Sequence, residues 1–182
     1  VHHAGFFSSL LALRGEPWRL LTANLLHADL VHLSVNTIGL LVLGGLVERS
    51  LGTGRAIWIA GLSALGATFA GVVAGYEALV GASGIVAGFA AAILLLELRF
   101  PDRLPVRWRI PRRLFLVALL ADALLPFAVP FVAGGAHLGG FLAGGVAAGL
   151  AAGGPSGAGF GLEVFGLEAF GGTASEGTAF GG

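Results

Sequence analysis

The chain has no cysteine, no lysine and no methionine, and charged residues make up only 11% of it. Without cysteine there are no disulfides, no thiol nucleophile and no cysteine-based metal site. Without lysine, arginine supplies all the fixed positive charge, and the formal net charge is zero. That global balance implies no nucleic-acid or membrane-surface partner. A chain that starts at Val1 and contains no methionine is expected to be truncated or processed at its N-terminus, and it shows no secretory signal pattern.

What remains is strongly apolar. Hydrophobic residues make up 56% of the chain and mean hydropathy is +0.91. Apolar runs of about 20 residues are the length of a membrane-crossing helix. Five such runs are expected, at 30–47, 56–74, 83–98, 114–125 and 136–152. The fourth could extend toward Phe131, but Pro126 and Pro130 are expected to leave it short or irregular at its end. The fold class expected is all-α, a polytopic membrane helical bundle. Residues 1–27 are too interrupted to span and read as an ordered interfacial loop, where Trp18 and Arg19 are at home. Residues 28–153 form the membrane core. Residues 154–182 repeat Phe-Gly units and read as a disordered cytoplasmic tail.

Arginine sets the orientation. Six of the ten arginines fall within 99–113, so this loop is expected in the cytoplasm. The first, third and fifth runs then start at the outer face.

Each of those three starts carries polar residues. His32 and Asn36 are four apart and share one helix face. Ser83 opens the third run, where unpaired backbone N–H groups favour developing negative charge. His137 opens the fifth. A serine beside a histidine is a nucleophile with its base, and donors such as His32 and Asn36 can hold an oxyanion. Each residue alone has a plainer explanation in helix packing or contact with water. Glycines follow both helix starts at four-residue spacing, Gly84/Gly88 and Gly140/Gly144, and small residues so spaced let membrane helices approach closely. The intramembrane acids are Asp122 and Glu97. Glu97 is expected near the cytoplasmic end, too far to orient His137. Asp122 stays open as a third member, and a Ser–His dyad is the simpler reading.

These residues together resemble the rhomboid family of intramembrane serine proteases. The matching pieces, in order, are Trp18-Arg19, His27-x4-His32-x3-Asn36, Glu48-Arg49-x2-Gly52, Gly81-Ala82-Ser83-Gly84 and Ala136-His137-x2-Gly140-x3-Gly144. The resemblance implies Ser83 as nucleophile and His137 as general base. It implies an oxyanion hole from His32, Asn36 and the Ser83 backbone N–H. Partners would be the lipid bilayer and transmembrane helices of other proteins, cut near their outer ends at helix-destabilising small residues. No cofactor and no metal is implied. The implied location is the inner or plasma membrane of a prokaryotic cell. Two departures stand out. The family has a further helix ahead of the Trp-Arg loop, expected to be missing from this chain. Many members also carry an aromatic four residues after the serine, where this chain has Ala87. The alternatives are a rhomboid-like protein that binds clients without cutting them, and a small transporter using Asp122 and Glu97.

Overall fold

The computed structural model describes residues 15–105, 107, 109–128 and 132–153. The tail expected at 154–182, and the first fourteen residues of the loop expected at 1–27, lie outside the described residues.

The described chain is helical. A short helix α1 (Arg19–Thr22) runs into a 3₁₀ turn at Ala23–Leu25. Helix α2 (Leu30–Gly39) starts where Asp29, in extended backbone, accepts the His32 N–H at 2.8 Å. This is an N-cap, satisfying a donor that the helix itself cannot. A wide π turn at Leu40–Gly44 passes into α3 (Gly45–Leu51), so residues 30–51 form one continuous span. Gly52, at φ +89°, allows the sharp turn into α4 (Thr53–Val73).

Helix α4 closes on paired bonds, Tyr76 N–H to the Gly71 carbonyl and Gly75 N–H to Val72, with Gly75 at positive φ. This is a Schellman end. Helices α5 (Ser83–Arg99), α6 (Arg112–Ala128) and α7 (Gly134–Gly153) complete the bundle. Residues 30–51, α4 and α7 are long and apolar enough to cross a membrane. Helices α5 and α6 have 17 residues each, at the short end of the spanning range. Pro126 does not break its helix as early as its sequence position suggests, because α6 continues past it to Ala128. A proline clashes with the carbonyl four residues before it, and here that disturbance falls in the final turns.

The bundle is built on α4, α5 and α7, which meet through small residues. A Cβ added to Gly84 would overlap Ala67, and one on Gly88 would overlap Ser63. Gly140 abuts the Gly84 backbone and Gly144 abuts Gly88. Gly139 abuts Gly66 and Ala70 of α4. Neighbouring glycines on α7 thus face different helices. Away from these contacts a larger apolar core forms from Leu46, Val47, Ile59, Phe89, Ile93 and Leu96, with Ala147 and Ala151. The outside is equally apolar. Leu30, Val31, Val35, Leu116, Leu120, Val146 and Leu150 are all exposed. Such large exposed apolar surface belongs against lipid.

Candidate active site

Ser83 is the first residue of α5 and His137 lies in the first turn of α7. The backbone contacts of Gly84 with Gly140 and Gly88 with Gly144 hold those two helix starts side by side. Ser83 Oγ lies 2.8 Å from His137 Nε2. On the other side of the ring, His137 Nδ1 lies 2.8 Å from Asp122 Oδ1. A carboxylate only accepts, so Nδ1 carries the proton and Nε2 presents its lone pair to the serine hydroxyl. Ser83 Oγ–H therefore donates to Nε2. The His137 side chain is 12% exposed, and that of Asp122 is 43% exposed.

The loop before Ser83 meets α2. Gly81 has φ +110°, and a Cβ on it would lie 2.6 Å from His32 Cε1 and 2.7 Å from Nε2. The Asn36 amide nitrogen is 3.5 Å from the same point. Only a glycine provides both the backbone conformation and the room. Asn36 is 3% exposed, yet its amide nitrogen has no hydrogen-bond partner among the described residues. Most buried donors are satisfied, so an unpaired one beside the serine loop is an available donor. His32 Nδ1 accepts from Ala28 N–H at a long 3.5 Å, and its ring meets His27 edge-on at 5.1 Å. With Nδ1 accepting, Nε2 is the donor of the ring.

A cavity of ≈ 30 Å³ lies beside Ser83, lined by Asn24, Thr68, Gly81, Gly84 and Ala133 among others. It has about the volume of one water molecule. A larger cavity, ≈ 260 Å³, is at the other end of α5, lined by Glu97, Arg109 and Arg112. There Glu97 Oε1 accepts the Ile110 N–H at 2.9 Å, remote from the serine. Among the described residues no group of histidine and acidic side chains is arranged to hold a metal ion.

The structure therefore brings Ser83 against His137, and His32 and Asn36 against the glycine two residues before Ser83. Two contributors were not fixed by the sequence: one was not singled out, and the other was left open. One is α4, whose Ser63, Gly66, Ala67 and Ala70 form the floor beneath α5 and α7. Their spacing of three and four residues was the available signal. The other is the contact of Asp122 with His137. Arg19, in the Trp-Arg pair, is buried and ion-paired with Glu16, while Trp18 is 53% exposed.

Fold and site together define an integral membrane helical bundle with a serine–histidine pair at one end. The Rhomboid domain profile matches residues 14–154, and the chain belongs to the rhomboid family. It is 38% identical over 91 residues to the rhomboid protease GluP of Bacillus subtilis (strain 168), covering 50% of this chain and 18% of that protein. It is 32% identical over 134 residues to the RHOMBOID-like protein 6, mitochondrial, of Arabidopsis thaliana, covering 68% of this chain and 40% of that one. The chain thus spans less than half the length of either relative. Membership carries intramembrane protease or rhomboid-like function at the level of the family.

Proposed function

We propose that this chain is a serine endopeptidase that cuts transmembrane helices of other proteins. One observation carries the reading, the 2.8 Å approach of Ser83 Oγ to His137 Nε2. His137 Nε2 takes the Ser83 hydroxyl proton as Oγ attacks the scissile carbonyl carbon. The carbonyl π electrons move onto oxygen, giving a tetrahedral oxyanion. Its donors are the Asn36 amide, the His32 Nε2–H and the Ser83 N–H, the last supported by the field of the α5 N-terminus. Collapse breaks the C–N bond, and the imidazolium returns its proton to the leaving amine. Water then attacks the acyl-serine ester, with His137 again as base, releasing the new carboxyl end and restoring Ser83.

A helical substrate hides its carbonyls within its own hydrogen bonds. Segments with glycine or other weak helix formers unwind at least cost, so the preferred substrate has them near its end. With the 99–113 loop in the cytoplasm, as its arginines favour, cleavage takes place toward the outer face.

The test is cleavage of a transmembrane reporter in proteoliposomes, run beside labelling by a fluorophosphonate. Ser83→Ala and His137→Ala each abolish cleavage while the protein stays folded, and Ser83→Ala also abolishes labelling. The double variant is no worse than either single one, because residues acting as a unit are non-additive. Normal cleavage by either single variant would overturn the assignment. A wild-type protein that binds reporters, takes no label and cuts none would be the non-cleaving member of the family instead.

A further inference from the structure

Helix α6 presents one stripe to the bundle. Along it Phe115 is buried and Leu119, Asp122 and Pro126 are half-buried, while the other side chains described between Arg112 and Phe127 are exposed. The intervals of four, three and four residues trace a single helix face. Phe115 joins the apolar core at one end of the stripe. Near the other end Pro126 lies against Gly134, 2.6 Å from the point a Cβ there would occupy. Asp122 is the one ionisable residue in this inward stripe. A carboxylate within a membrane helix is costly unless something pairs with it. Its partner is His137 Nδ1, at 2.8 Å.

We infer that Asp122 is a positioning residue: its carboxylate holds His137 in the Nδ1–H form, aims Nε2 at Ser83, and stabilises the imidazolium formed when the serine proton moves. The chemistry follows from the geometry. A neutral imidazole bears one proton and has two places for it. If the proton sits on Nε2, the ring cannot accept from Ser83 and no base is present. A carboxylate on Nδ1 removes that form. It also opposes rotation of the ring about its Cβ–Cγ bond, because rotation would leave the carboxylate unpaired. The α5–α7 glycine contacts set the separation of the two backbones, but they do not set the proton's place on the ring. Asp122 does so from a third helix. The inference rests on Ser83 and His137 being the reacting pair.

The test uses the full chain in detergent micelles with ¹⁵N-labelled histidine, the His137 signals being assigned by their loss in His137→Gln. Wild type shows a protonated Nδ1 and an unprotonated Nε2. Asp122→Ala moves the population toward the Nε2–H form, and it does so equally in a Ser83→Ala background, where no turnover occurs. In proteoliposomes Asp122→Ala lowers kcat about 10- to 100-fold with KM unchanged. The loss is smaller than the ~10⁴-fold of a buried triad aspartate, because a half-exposed carboxylate is screened. Asp122→Glu recovers part of both readouts. A wild-type His137 found in the Nε2–H form overturns the inference whatever the variants do, so it stays testable if Asp122→Ala fails to fold. An unchanged tautomer and kcat in folded Asp122→Ala also overturn it. If the tautomer shifts with Asp122→Ala but Ser83→Ala still cleaves, Asp122 does set the ring and the protease reading falls.

Discussion

Helices α5 and α7 meet backbone to backbone, whereas α6 meets the bundle through a few side chains on one stripe. Both contacts bring a chemical group to His137, Ser83 from α5 and Asp122 from α6. They do so with different stiffness. Where glycine lies on glycine, the helix separation has no side-chain rotamer to relax and is set by the van der Waals radii of main-chain atoms. Where α6 docks, the separation depends on Phe115, Pro126 and one hydrogen bond. Ser83 and His137, the proposed nucleophile and base, are held by the rigid contact, and Asp122, proposed to orient the base, by the softer one.

The largest test of this contrast puts a side chain between the rigid pair. A Cβ on Gly140 already overlaps the Gly84 carbonyl. Gly140→Leu drives the helices apart, abolishes reporter cleavage and lowers stability by about 1–3 kcal/mol or more, read as a lower melting temperature in detergent. An active, equally stable Gly140→Leu protein would break the distinction between the two contacts.

Gly81→Ala probes the approach of the serine loop to α2. The variant carries backbone strain of about 1–2 kcal/mol at positive φ and pushes a methyl against the His32 ring. The expected outcome is a loss of turnover at least as large as that of Asn36→Ala, with fluorophosphonate labelling reduced in parallel. Asn36→Ala removes one proposed oxyanion donor and keeps the proposed base, so kcat is expected to fall by about 10²-fold with residual cleavage. A wild-type rate in Asn36→Ala would remove that residue from the oxyanion site.

The smallest effect is expected on the outward face of α6. Leu116 is 66% exposed, and Leu116→Ala changes the lipid-facing surface alone. Cleavage is unchanged, and stability, read from the melting temperature, stays within about 0.5 kcal/mol of wild type. A large loss there would show that α6 depends on more than its inward stripe.

The candidate site was legible in sequence to the extent that its parts are local. Serine at a helix start, glycines four residues on, and His32 with Asn36 on one face are all relations within a single helix. Asp122 was equally visible as an intramembrane acid, and its stripe with Phe115, Leu119 and Pro126 lies in the sequence at helical spacing. What the stripe faces does not. From sequence the dyad was simpler because nothing local ties residue 122 to residue 137. The small residues of α4 were passed over for a related reason. Alanine, serine and glycine are common in apolar helices, and only a partner distinguishes a contact face from filler.

By itself the sequence determined the long helical runs, their apolar character, and which residues carry the chemistry of a nucleophile, a base and a donor. These properties follow from a repeat of 3.6 residues per turn and from side-chain chemistry, both read over a few neighbouring positions. The tertiary structure decided which faces meet. It set Gly84 on Gly140, Gly81 under His32, and Asp122 on the far side of His137 from Ser83. Those choices depend on how closely whole helices approach, and that is settled by the sum of many weak contacts between residues far apart in the chain.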